Sequence, residues 1–203
     1  MKTKTGNKLM SLLLMLLLTA AMMSMPAMAE NSGAEMGKLQ NTYYKLCRDK
    51  KLKVGFLGGS ITYGHGTDGL ENRYSSLTVK ALQEKFADAE ITEMNRGIGG
   101  TGSKYGLYRA DSDFALGSAD APDLMFIEVT INDRYENMTE AQTSYYMESL
   151  INNIYDADKK TDIVFLLTTD VSLEGAEYEQ TKAIKALGEH YGIPTIDMGA
   201  YLA

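Results

Sequence analysis

One stretch limits what this chain can become: Val54-Gly55-Phe56-Leu57-Gly58-Gly59-Ser60-Ile61-Thr62-Tyr63-Gly64. An apolar run of strand character stops at two glycines, and a serine stands on the turn that follows. Glycine permits positive φ and leaves room for another group beside the backbone. A strand that ends this way raises the next side chain to the carboxyl edge of a sheet, where open α/β folds bind ligands. Ser60 is therefore the candidate nucleophile, and the rest of the chain has to supply its partners.

Strand and helix patterns alternate along the sequence. Runs at about 52–57, 91–95, 124–129, 163–167 and 193–196 read as strands. Residues Tyr74, Leu77, Thr78, Ala81, Leu82 and Phe86 recur at helical spacing and predict a helix over 73–86. Further helices are expected over 103–116, 139–159 and 178–190, with Tyr146, Leu150, Ile154 and Tyr155 as the buried stripe of the third of these four. The nearly continuous apolar run at 124–129 suits a central parallel strand covered on both faces. The alternation predicts a three-layer α/β/α domain on a five-stranded parallel sheet, in the flavodoxin-like order 2-1-3-4-5. In that order the first three strands are neighbours, and their carboxyl ends carry Ser60, the cluster Gly97-Ile98-Gly99-Gly100-Thr101-Gly102, and Asn132. Three polar or glycine-rich strand ends then converge on one crevice.

The 203 residues suffice for one domain with a sizeable core. Lys2, Lys4 and Lys8 precede an apolar stretch over 9–25, and Ala27-Met28-Ala29 is a small-x-small site, so residues 1–29 read as a signal peptide cleaved after Ala29. The expected location is secreted or periplasmic, with no stable membrane span left after cleavage. Residues 30–50 form a polar lead-in and a short helix, and 51–203 the domain itself. Cleavage removes three lysines and no acids, moving the formal charge from −7 to −10. That acidity argues against a nucleic-acid partner, which needs a basic footprint. Cys47 is the only cysteine, so no internal disulfide is available, and the segment around it reads as a short amphipathic helix that packs it as a small hydrophobe. Neither His65 nor His190 has the ligand spacing of a metal site, and no cofactor is expected.

An acyl-transfer site needs a nucleophile, donors for the oxyanion and a base. Ser60 supplies the first; its own N–H, an N–H in the 97–102 turn and the Asn132 amide can be three convergent donors. Three blocks in order carry a resemblance: Gly58-Gly59-Ser60-Ile61-Thr62, then 95–103, then Glu128-Val129-Thr130-Ile131-Asn132-Asp133. Together they resemble the SGNH (GDSL-like) esterase and acylhydrolase superfamily, in particular its Gly-Gly-Ser-Ile-Thr branch. The resemblance implies a carboxylic-ester hydrolase with Ser60 as nucleophile, and Gly100 and Asn132 as oxyanion partners of the Ser60 N–H. It also implies a structural role for Arg109 and a short acyl ester as substrate, O-acetyl groups on carbohydrate fitting best. Gly59, Tyr63, His65 and Asp133 are expected to line the substrate site.

The family's Asp-x-x-His element, which supplies base and orienter, is not found in this sequence. The expectation is a chain truncated before that block and impaired as an enzyme. His190 falls at a helix end on the far side of the sheet; His65, with Asp68 as its nearest orienter, is the alternative base. Two other readings compete. A non-catalytic secreted carbohydrate-binding remnant would keep the crevice without the base. A dinucleotide-binding domain is suggested by the literal G-x-G-x-x-G of 97–102, against which stands its position after the second strand.

Overall fold

The computed structural model describes residues 39–169 and 178–202; the segment 1–29 expected to be a signal peptide and the start of the expected lead-in, with Asp170, lie outside them. The elements follow in the order α1 (Gln40–Tyr44), β1 (Lys51–Gly58), α2 (Ser60–Tyr63), α3 (Tyr74–Lys85), β2 (Glu90–Gly97), α4 (Ser103–Phe114) and β3 (Leu124–Glu128). Then come α5 (Thr130–Tyr135), α6 (Glu140–Ala157), β4 (Asp162–Leu167), α7 (Glu179–Tyr191), β5 (Thr195–Asp197) and α8 (Gly199–Leu202). All strands pair in parallel, in the order β2-β1-β3-β4-β5, as the alternation predicts.

Side-chain alternation along the central strands builds two separate cores. Val54, Phe56, Leu124, Phe126, Val164 and Leu166 point to one face, where Tyr74 and Leu82 of α3 and Leu39 and Leu46 near α1 cover them. Leu57, Met125, Ile127, Ile163, Phe165 and Leu167 point to the other, under Phe114 of α4, Leu150 and Ile154 of α6 and Ile184 of α7. On the first face Phe56 stacks on Phe126 at 5.1 Å and meets Tyr74 edge-on at 5.7 Å. Every residue of β3 is buried, as expected of a strand covered on both sides. The edge strand β2 has no buried residue: Glu90, Thr92 and Arg96 are exposed and the others half-buried.

Several local expectations shift. Along the first helical segment the buried residues are Leu39, Thr42 and Leu46, three and four apart, and the helix widens into a π turn over Lys45–Asp49. Cys47 therefore falls on the outer face and is exposed, not packed. The stripe of α6 runs through Thr143, Met147, Leu150, Ile151 and Ile154, leaving Tyr146 and Tyr155 half-buried at its margins, where a phenol can reach water. Helix α6 starts on a capping box, the Thr139 hydroxyl accepting from the Gln142 N–H and the Gln142 side chain from Thr139 N–H. The fifth strand sits at Thr195–Asp197, two residues beyond its expected start. Helices α2 and α5, which the hydrophobic pattern does not reveal, sit directly on the carboxyl ends of β1 and β3.

Candidate active site

Ser60 is the first residue of α2, two residues past the end of β1. Its position leaves its N–H with no intrahelical acceptor, since the first N–H groups of any helix are unpaired. The glycines before it are required by space. A Cβ on Gly58 would fall 2.1 Å from Thr62 Oγ1 and 2.6 Å from the Glu128 carbonyl oxygen. A Cβ on Gly59 would fall 1.9 Å from Asn132 Nδ2. The Asn132 amide therefore lies against the residue preceding Ser60.

The turn after β2 approaches from the other side. The Ile98 N–H donates to the Gly58 carbonyl at 3.0 Å, tying the two strand ends together. A tight turn then closes with the Thr101 N–H donating to Ile98 O at 3.3 Å, and Gly100 at its third position has φ +75°. Gly99 faces Ser60, its hypothetical Cβ lying 3.9 Å from Ser60 Cβ, while Gly100 looks into open space. Asn95 donates through Nδ2 to Thr62 O at 2.6 Å and to Ser75 Oγ at 2.8 Å, and its Oδ1 accepts the Gly97 N–H at 2.9 Å. Arg109 of α4 reaches under both turns. Nη2 donates to Gly58 O at 3.1 Å and Nη1 to Arg96 O at 2.7 Å, and the guanidinium also pairs with Asp113.

Beneath the Gly59–Ser60 turn lies a polar network centred on Glu128, which has no exposed surface. Glu128 follows Leu124 and Phe126 on the same face of β3. Its Oε2 accepts the Thr62 hydroxyl at 2.9 Å and the Gly59 N–H at 3.3 Å; the Tyr74 phenol lies 3.0 Å from Thr62 Oγ1. Its Oε1 lies 2.7 Å from Thr168 Oγ1. Burial pushes the Glu128 carboxyl above the usual range, against the pull of those hydrogen bonds. Neither Glu128 nor Thr62 is apparent from spacing. The signal available in the sequence is an acid in an otherwise apolar run, at a position that alternation places inward.

Asp133 also differs from expectation. It is fully buried and accepts the Ser103 N–H at 2.6 Å, below Gly102, whose Cβ would fall 2.1 Å from Asp133 Oδ1. It props the start of α4 from below instead of lining the substrate site, and burial raises its pKa to about 6. Tyr63 is 54% exposed, its backbone packed on Gly97. His65 is exposed; its N–H donates to Ser60 O at 2.9 Å, and among the described residues neither its ring nor Asp68 is paired with the other. His190 is exposed in the last turn of α7, which leads into the start of β5 and so lies at the opposite edge of the sheet. The glycines at both ends of the 97–102 cluster are filled against by the chain itself: Gly97 by the backbone at Tyr63 and Gly102 by Asp133. The cluster follows β2, at the edge of the sheet, and not the first strand of the domain, and that position stands against the dinucleotide reading.

The model of the GDSL-like Lipase/Acylhydrolase family matches residues 56–203. Among solved structures, the chain resembles a two-domain esterase active on acetylated mannans, co-crystallized with mannopentaose, at 28% identity and TM-score 0.70. That match covers 80% of this chain and 42% of the other, so this chain spans less than half of that protein's length. AlinE4, an SGNH-hydrolase family esterase, shares the fold at 21% identity and TM-score 0.61, over 74% of this chain and 78% of that one. LAE5, an alpha/beta hydrolase enzyme from the metagenome of Lake Arreo, Spain, does so at 18% identity and TM-score 0.60, over 74% and 78%. No curated protein sequence matches the chain. With the three strand ends assembled as the family's blocks require and the family model spanning most of its length, the chain belongs to the GDSL-like lipase/acylhydrolase family.

Proposed function

We propose that this protein is an exported serine esterase that hydrolyses short acyl esters, O-acetyl groups on carbohydrate first among them. Ser60 attacks the ester carbonyl, and the oxyanion is received by the N–H groups of Ser60 and Gly100 and by the Asn132 amide. The observation that carries this reading is the abutment of Asn132 Nδ2 on Gly59, beside a helix-start N–H with no acceptor. The likeness to an esterase active on acetylated mannans supports the choice of acetylated polysaccharide as substrate. The Gly-Gly-Ser-Ile-Thr form of the first block and the small-residue site at 27–29 support the branch and the export.

Among the described residues no histidine ring is hydrogen-bonded to the Ser60 hydroxyl. We expect slow turnover by this chain, near the residual ~10³–10⁴-fold over water left when a triad member is absent. The test is p-nitrophenyl acetate hydrolysis against Ser60→Ala, with and without added imidazole. Faster hydrolysis by wild type, further raised by imidazole only when Ser60 is present, is the expected result. Equal rates throughout would leave the second reading, a secreted carbohydrate-binding module of the same fold, which a serine hydroxyl with no histidine ring beside it among the described residues favours.

A further inference from the structure

Glu128 is an unusual group to place beneath a nucleophile turn. It has no exposed surface, and among the described residues no lysine, arginine or histidine pairs with it. A buried carboxylate with no counter-charge is costly, and the ordinary escape is to take up a proton. The groups facing it are all neutral. The turn and α2 contribute the Gly59 N–H and the Thr62 hydroxyl, α3 the Tyr74 phenol, α5 Thr130, and the end of β4 Thr168. Burial and the neighbouring carboxyl hold the phenol above the ordinary tyrosine range, so it stays protonated. Glu93, the next acid on that side, is neutralised by Arg73 at 3.0 Å.

The hydrogen-bond network also has a place for a proton. Oε2 is taken up as an acceptor by the Gly59 N–H and the Thr62 hydroxyl, and the Tyr74 phenol then donates to Thr62 Oγ1. On the other oxygen, the Thr130 hydroxyl donates to Thr168 O at 2.9 Å and its Oγ1 accepts the Thr168 N–H at 3.0 Å. Thr130 Oγ1 lies 3.3 Å from Thr168 Oγ1 and can accept that hydroxyl too. With a hydrogen on Oε1 donated to Thr168 Oγ1, and the Thr168 hydroxyl turned to Thr130, every hydrogen in the chain finds an acceptor.

We propose that Glu128 is a positioning residue that works as a neutral acid, holding the Gly59–Ser60 turn through Gly59 and Thr62 without placing a charge under it. The role rests on the assignment of Ser60 as nucleophile. A full negative charge behind the Gly59 N–H would oppose the oxyanion forming one peptide away; a protonated carboxyl gives the same two anchors without that opposition. Glutamine reproduces the arrangement, with its oxygen on Gly59 and Thr62 and its NH2 on Thr168, whereas alanine removes it.

Infrared difference spectra of wild type against Glu128→Gln at pH 8 read the proton directly, because Asp133, with a pKa of about 6, is ionised there. The expected result is a protonated-carboxyl C=O stretch present in wild type and missing from the variant; no such band overturns the proposal. Should Glu128→Gln fail to fold, Thr168→Val leaves the carboxyl but removes its partner and must shift that band, and an unshifted spectrum counts against the proposal. In the ester assay, Glu128→Gln is expected to keep most of kcat with a flatter alkaline limb, and Glu128→Ala to lose about 10²-fold in kcat with KM little changed. Equal losses in both variants also overturn it. The band without Ser60-dependent hydrolysis in any variant upholds the neutral acid and overturns the esterase reading alone.

Discussion

In the turn after β1 both glycines answer a lack of space: Gly58 is pressed by Thr62 and the Glu128 backbone, and Gly59 by the Asn132 amide. In the turn after β2 the ends are equally tight, but the tip at Gly100 has nothing within 4 Å and needs glycine for its φ of +75° instead. The crevice thus has a solid floor and an open lip. The proposed donor Asn132 is packed in place against Gly59, whereas the proposed donor N–H of Gly100 is carried at the open tip of a turn whose base is held by Thr101. Two glycine clusters that look alike as letters differ in which physical demand each residue meets, and that difference can be measured.

The largest effect is expected for Gly59→Ala. Its methyl displaces the Asn132 amide, so kcat should fall by about 10²–10³, as when one oxyanion donor is lost. Asn132→Ala should match it in rate while leaving stability nearly intact, and a Gly59→Ala protein of wild-type activity would refute the packing reading. Next comes Gly97→Ala, whose Cβ would fall 2.2 Å from the Tyr63 backbone nitrogen. Backbone cannot move aside cheaply, so urea unfolding should show a loss of about 3 kcal/mol, the upper end for overpacking.

A third test addresses what supports the tight end of the second turn. Burial raises Asp133 from 3.8 to about 6, so the folded protein binds that proton more tightly than the unfolded chain does. The stability it contributes is complete below about pH 4 and is lost as pH rises through about 6, roughly 3 kcal/mol in all. Asp133→Asn should remove that slope from a plot of unfolding free energy against pH, and an unchanged slope would assign it elsewhere. Smallest should be Gly100→Ala, where only the left-handed backbone resists a side chain, at about 1 kcal/mol. Because its N–H stays in place, activity should change little; a loss as large as that of Gly59→Ala would erase the distinction between floor and lip.

The sheet was readable in the sequence because Val54–Leu57 and Leu124–Val129 are apolar runs cut by glycine or polar punctuation, and strand order follows from alternating β and α segments. Ser60, the glycine cluster and Asn132 could be placed at one edge for the same reason. Helices α2 and α5 could not be read, since four and six residues do not establish a helical period. Glu128 looked like one polar letter in an apolar run, and its meaning depends on Thr62, Tyr74 and Thr168, which lie 66, 54 and 40 positions away. Asp133 looked like a substrate-lining group because it ends near the carboxyl edge of the sheet; helix α5 turns it about 100° from Asn132 and buries it. Cys47 failed by one position on a helical face.

The guanidinium of Arg109 has a consequence for how this site behaves in time. By donating to Gly58 O and Arg96 O from a third element, it makes floor and lip one mechanical unit anchored to α4. Little ordering remains to be done when an ester arrives, so binding energy is not consumed in assembling the proposed oxyanion donors. Amide hydrogen exchange would record this as slow exchange at Ile98, whose N–H spans the two turns. Loosening that one side chain should let both turns breathe together.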